Sequence, residues 1–134
     1  MEARTFLDSN VVLYLLSADT RKRDIALGLL SRRPCVSVQV LNEVTNVCRK
    51  KGGMSWDEVA TFLADVRHFC RVVSLTETIH DDARRLAARH QLSFYDANIV
   101  AAALDSGAAV VWSEDMHHGL VIEHTVTITN PFRH

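Results

Sequence analysis

The chain has 134 residues, 48% of them hydrophobic and 23% charged, with 15 Lys and Arg against 16 Asp and Glu. That length suits one domain, burying roughly two-thirds of the surface its unfolded chain would expose, and we expect a single unit over residues 1–134. No apolar run reaches the roughly 18 residues of a membrane span, and Met1-Glu2-Ala3-Arg4 leads into a strand without the regions of a signal peptide, so a soluble, cytoplasmic protein is expected.

The first element is a strand over 4–8, apolar until it stops at Asp8, followed by a helix over 10–17 whose natural cap is Ser9 or Asn10. A helix over 20–32 and a strand over 35–38 come next. In the helix over 39–51, Val40, Leu41, Val44, Val47 and Cys48 follow helical spacing and Glu43 falls at the edge of their stripe. Gly52-Gly53 ends it, and Ser55-Trp56-Asp57-Glu58 starts a helix over 55–68 with a cap and an acidic first turn, making a helical hairpin. A strand over 71–74 and a helix over 77–91 lead to a helix over 95–106. This last helix is so free of charge that burial on most sides is expected, and its first turn, holding Asp96, is where a carboxylate is most favoured. A strand over 109–112 ends in Ser113-Glu114-Asp115, Leu120-Val121-Ile122 adds a short edge strand, and a last strand covers 126–129. Such alternation implies a parallel sheet between helices. The chain shows no linker, repeat or low-complexity tract.

Asp8, Glu43, Asp96 and Asp115 are distant in sequence, yet this fold could bring all four to one edge of the sheet. In open parallel sheets ligands collect beyond the carboxyl ends of the strands, where Asp8 and Asp115 both fall. Singly, each acid has a plain explanation: Asp8 and Asp96 as helix caps, Glu43 as a rim charge, Asp115 as a turn residue. Together they are more specific, because close carboxylates repel unless a cation compensates, and an all-oxygen set suits Mg²⁺ or Mn²⁺. Four acids could serve one ion or two.

Phe6-Leu7-Asp8-Ser9-Asn10, Asn42-Glu43-Val44, Phe94-Tyr95-Asp96-Ala97-Asn98-Ile99, Ser113-Glu114-Asp115 and Asn130-Pro131-Phe132 together resemble the PIN-domain ribonucleases, and among them the VapC-like toxins of bacterial toxin–antitoxin pairs. The resemblance runs over almost the whole chain. It implies a three-layer α/β/α sandwich with a central, mainly parallel sheet and a metal-dependent endoribonuclease leaving 5′-phosphate and 3′-hydroxyl ends. Asp8, Glu43, Asp96 and Asp115 match the family's acidic quartet, and Ser113 stands where a hydroxyl, often Thr, orders the site. Asp115 is preferred to its neighbour Glu114 because it lies two residues after that hydroxyl. The resemblance also implies a homodimer and a small antitoxin whose C-terminal segment covers the acidic site.

The near-neutral charge sits uneasily with nucleic acid, but removing the four proposed ligands from the 16 acids leaves 15 basic residues against 12. Basic clusters at Arg21-Lys22-Arg23, Arg32-Arg33, Arg49-Lys50-Lys51 and Arg84-Arg85 with Arg89 are candidate phosphate contacts, though most such clusters are solvated faces. Arg49, Lys50 and Lys51 rank first because they continue the helix that carries Glu43. Cys35, Cys48 and Cys70 read as reduced core residues, and the seven histidines, His117 and His118 among them, as surface or loop residues outside any zinc motif. Two other functions fit less well. An RNA-binding module of the same fold without catalysis does not explain an intact quartet, and an Asp-based phosphotransfer protein lacks its accessory residues, with Asn10 standing where a phosphatase of the haloacid-dehalogenase type needs a second Asp.

Overall fold

The computed structural model describes residues 4–133. In chain order the elements are β1 (Thr5–Leu7), α1 (Ser9–Leu13) with a 3-10 turn over Tyr14–Leu16, α2 (Thr20–Leu30), β2 (Cys35–Ser37), α3 (Val38–Lys50), α4 (Trp56–Phe69), β3 (Arg71–Val73), α5 (Glu77–His90), α6 (Phe94–Ser106), β4 (Val110–Trp112), β5 (Val121–Ile122) and β6 (Val126–Thr129). The strands form one sheet in the order β3-β2-β1-β4-β6-β5. All neighbours are parallel except β5 against β6, and helices flank the sheet as the three-layer expectation requires.

The central strands are short and apolar because both of their faces are covered. Phe6, Val36 and Val111 are wholly buried, and Leu7, Cys35 and Ile128 nearly or wholly so. Each such side chain contributes roughly 1.5–3 kcal/mol of burial free energy. Helix α6 lies against β2, β4 and β6 and pairs extensively with α5. Its Ala97, Ala101, Ala102 and Ala103 are all buried, so small side chains let the helix come close to its neighbours, as its lack of charge suggests.

Helix ends follow local chemistry. Ser37 caps α3 directly at the end of β2, its hydroxyl accepting from the Val40 amide at 3.2 Å, so strand and helix join without a loop. Ser55 and Glu58 form a capping box at the start of α4. Gly107 ends α6 at φ 79°, the left-handed conformation that glycine adopts without strain.

The first helix departs from expectation. Asp8, rather than Ser9 or Asn10, is its N-cap, and the segment expected as one helix over 10–17 becomes a five-residue α-helix closed by a 3-10 turn. A carboxylate at the strand end captures the Ser9 amide and starts the helix one residue earlier, while the terminal turn tightens before Ser17, a common way for a short helix to end. The edge strand expected at 120–122 is β5, limited to Val121–Ile122. Among the described residues no helix is long and apolar enough to cross a membrane.

Candidate active site

The chain runs outward from β1 in both directions, to β2 and β3 on one side and to β4 and β6 on the other. The crevice at the carboxyl ends of β1 and β4 is therefore the topological switch point, where α/β sheets of this kind hold their ligands. Leu7 pairs with Trp112, so Asp8 follows one strand and Ser113 the other at the same level. The Asp8 amide donates to the Trp112 carbonyl at 3.0 Å and extends that pairing into the turn.

Asp8 is 3% exposed, an uncommon position for a carboxylate. Its Oδ1 accepts from the Ser9 amide at 2.7 Å, and its Oδ2 from the Ser113 hydroxyl at 2.7 Å and the Asn10 amide at 3.0 Å. Burial first, and then the nearby charges of Glu43 and Asp96, push the Asp8 carboxyl from 3.8 up to about 6 against the pull of the Ser113 and Ser9 hydrogen bonds. Asp96 is likewise raised, first by burial and then by Glu43 and Asp115, with the Ser93 hydroxyl opposing. Ser93 caps α6 by accepting from the Asp96 amide at 3.1 Å, so Asp96 stands in the first turn and is not itself the cap.

Glu43, in the second turn of α3, accepts from the Ser9 hydroxyl at 2.8 Å and the Gln39 amide at 2.9 Å, which ties α3 to the start of α1. Asp115 is exposed and receives the Asn10 amide at 3.3 Å. The four acids anticipated from the sequence thus share one electrostatic neighbourhood. Asp8 feels Glu43 and Asp96, and Asp96 feels Glu43 and Asp115. Among the described residues none of the four takes part in a salt bridge.

The adjacent Glu114 is held elsewhere. Lys22 reaches it at 2.7 Å, and the Tyr14 hydroxyl donates to its other oxygen, so its charge is already matched on the side facing α2. This separates the two neighbouring acids, leaving Asp115 with the group around Asp8.

Three residues matter here whose roles the sequence did not disclose. The Asn10 side chain links Asp8 to Asp115 and accepts the Glu114 amide at 3.0 Å, while Ser9 and Gln39 orient Glu43. The only signal for Asn10 and Ser9 is their position directly after the first acid; for Gln39 it is the spacing of four residues from Glu43 on one helix. Ser113 is wholly buried and also accepts from the Met116 amide at 3.2 Å, so its hydroxyl is fixed from two sides.

The basic residues divide clearly. Arg49 donates to the Met54 carbonyl at 2.8 Å and sits over the Trp56 ring at 4.4 Å, engaged by its own loop. Arg84, Arg85 and Arg89 are paired with acids on α5 or with Glu123. Lys50 and Lys51 are exposed and, among the described residues, unpaired. The three cysteines are free, with Cys35 and Cys48 buried and Cys70 partly so.

With this arrangement in view, the sequence pattern of the PIN domain matches residues 5–119. The chain belongs to the PIN-domain family. No curated protein matches it in sequence. Solved structures do share the fold of this PIN domain. A toxin–antitoxin complex from Klebsiella pneumoniae is 16% identical with a TM-score of 0.72, the match covering 96% of this chain and 98% of that one. FitAcB from Neisseria gonorrhoeae gives 16% identity and a TM-score of 0.66 over the same shares of the two chains. The sarcin-ricin loop cleaving toxin VapC20 of Mycobacterium tuberculosis gives 23% and 0.65, covering 83% of this PIN domain and 89% of its own chain.

An all-carboxylate donor set at a strand-end crevice, without a cationic side chain in salt-bridge contact, fits a hard divalent cation. Among the described residues no three His, Cys, Asp or Glu side chains form a ready-made metal cluster.

Proposed function

We propose that this protein is an Mg²⁺- or Mn²⁺-dependent endoribonuclease that hydrolyses RNA phosphodiester bonds and acts as the toxin of a type II toxin–antitoxin pair. Membership of the PIN-domain family supports a nuclease, and the toxin–antitoxin proteins among its structural neighbours support the biological role. The observation that carries the reading is the buried Asp8 carboxylate at the switch point, electrostatically joined to Glu43 and Asp96.

In this reading Asp8 and Asp96 hold the cation most directly, and Glu43 and Asp115 contribute through water or to a second ion. A bound divalent cation supplies an activated water and offsets charge on the phosphoryl oxygens. The protein's own part is positional. Ser113 and Asn10 hold Asp8 Oδ2 from two sides, and the Ser9 amide holds Oδ1, so the carboxylate cannot rotate away as the site fills. Ser9 and Gln39 do the same for Glu43. No side-chain nucleophile is required, and the products carry a 5′-phosphate and a 3′-hydroxyl.

The working unit is one domain over residues 1–134, in the cytoplasm, as a homodimer restrained by a cognate antitoxin. Lys50 and Lys51, with Arg49 behind them, are the proposed contacts to the RNA backbone. Expression of the chain alone and with its neighbouring reading frame tests the role, with mapping of cut RNA ends testing the chemistry. Growth arrest relieved by the neighbour, together with Mn²⁺-dependent cleavage lost in Asp8→Asn and Asp96→Asn, is the expected result. Full cleavage by both variants would overturn the site, and tight RNA binding without turnover in either metal would replace the enzyme with a binding module.

A further inference from the structure

Of the four acids, Asp115 has the least support of its own. Asp8 accepts hydrogen bonds from three residues, while Glu43 and Asp96 are carried by the helices α3 and α6. Asp115 is exposed, lies in the irregular segment after β4 and, among the described residues, accepts only from the Asn10 amide at 3.3 Å. A cavity of about 330 Å³, lined by Asn10, Leu13, Tyr14, Ser17, Glu114 and Asp115, opens between this segment and α1 with its 3-10 turn. Close packing therefore does not hold the segment from that side.

What holds it is the neighbouring residue. The Glu114 carboxylate accepts from Lys22 at 2.7 Å and from the Tyr14 hydroxyl, which itself accepts from Lys22 at 3.0 Å. The Lys22 ammonium stands 4.7 Å from the centre of the Tyr14 ring and 5.5 Å from that of Phe132, and the two rings meet edge-on at 4.7 Å. Phe132 is buried, its carbonyl accepting from Arg21 at 2.7 Å. The basic cluster Arg21-Lys22-Arg23 and the Asn130-Pro131-Phe132 motif, neither of which the proposed reaction uses, thus meet around Glu114. Among the described residues every other ion pair involves α5, whereas this one joins α2 to the segment after β4 with its two side chains only 27% and 26% exposed. An ion pair this enclosed, and shared with a hydroxyl, is held in one geometry in a way that an open surface pair is not.

We propose that Lys22, with Tyr14 and Phe132 around it, is a positioning residue: it clamps Glu114 and so fixes the backbone that presents Asp115 to a divalent cation. This rests on the metal-dependent reading above and adds the residues that pre-organise its least supported acid. A carboxylate on a loose segment must be ordered when the ion binds, which lowers affinity; a segment already fixed avoids that cost. Lys22 is thereby removed from the candidate phosphate contacts.

The test measures Mn²⁺ binding by calorimetry, and amide hydrogen exchange in the metal-free protein, for the parent, Lys22→Met, Lys22→Arg and Glu114→Ala. Lys22→Met keeps an apolar stem against the two rings and removes the charge. It should weaken Mn²⁺ binding by roughly ten- to a hundredfold, the range for losing a group that orients a metal ligand. It should also speed exchange at the Glu114 and Met116 amides while those of β1 and β4 keep their protection. Lys22→Arg should restore both readings. Glu114→Ala should lose as much affinity, with no further loss on adding Lys22→Met, because the two residues act through one contact. Glu114→Gln keeps an oxygen for the clamp and should stay near the parent. Cleavage lost in Lys22→Met should return as Mn²⁺ is raised. Unchanged Mn²⁺ affinity in Lys22→Met overturns the proposal, as does a loss that Glu114→Ala does not share. A loss of affinity accompanied by lost protection throughout β1 and β4 also overturns it, by reducing the pair to a tie that holds the fold. Failure of the ribonuclease reading is distinct. If the parent binds Mn²⁺ and cuts no RNA while Lys22→Met still weakens the metal, the enzyme falls and the clamp stands; a parent that binds no Mn²⁺ overturns both.

Discussion

At Asp8 a buried carboxylate accepts hydrogen bonds from three residues and still has a raised pKa, so desolvation outweighs its hydrogen bonds. The native protein keeps a proton that the unfolded chain has lost between pH 3.8 and about 6. Stability contributed by this group therefore falls as pH rises through that window and is level above it. The shift corresponds to about 3 kcal/mol opposing the folded, metal-free protein at neutral pH. Asp8→Asn should accordingly abolish cleavage while raising stability over the parent at pH 7.5, with a smaller gain at pH 4.5, as read from urea unfolding at the two values. Divalent metal should stabilise the parent at pH 7.5 more than at pH 4.5, because its binding requires the deprotonated form. The neighbouring acids should separate in the same way. Glu114→Gln leaves the group around Asp8 intact and should retain cleavage within a few-fold, whereas Asp115→Asn should lose at least tenfold in kcat at fixed Mn²⁺.

Among the elements, α6 has the most demanding task, since it must deliver Asp96 to the crevice at one end and enter β4 at the other. Ser93 fixes its start and Gly107 its finish. A Cβ at Gly107 would meet only the Arg4 guanidinium at 3.8 Å, so the position has room. The demand there is conformational, and Gly107→Ala should cost about 1–2 kcal/mol through the left-handed backbone alone. Its denaturation midpoint should drop while cleavage per folded molecule stays unchanged, because the crevice lies at the other end of the helix. The expected helix over 95–106 and strand over 109–112 differ from α6 and β4 by only a residue at one end. Both are long or apolar enough for periodicity to settle them. The α1 segment starts one residue before the expected 10–17 because the Asp8 carboxylate, whose plain explanation in the sequence is a helix cap, does cap it.

For the whole molecule, a near-zero net charge conceals an uneven surface. Asp8 and Asp96 each feel the charge of two other acids, while many arginines are tied to carboxylates or carbonyls elsewhere. Binding of RNA should therefore depend on few cations. Replacing Lys50 and Lys51 together with Gln should lower the slope of log K against log salt by about 1.4, at roughly 0.7 per phosphate contact on a single strand. It should weaken all RNAs alike. An unchanged slope would remove the two lysines from the interface.

The amino-acid pattern alone determined the alternation of strand and helix and the family motifs, because short-range periodicity and residue type carry that information. It also placed Asp8 and Asp115 at strand ends. Only the tertiary structure decided that β1 and β4 are neighbours, and hence that residues 8 and 113 meet across a hydrogen bond despite a separation of 105 positions. The assignment of Glu114 to Lys22, the engagement of Arg49 by Trp56 and the bridging role of Asn10 were likewise settled in three dimensions. Each depends on which side chains of distant segments come within about 3 to 5 Å of one another, a matter of sheet order and packing that no local spacing encodes.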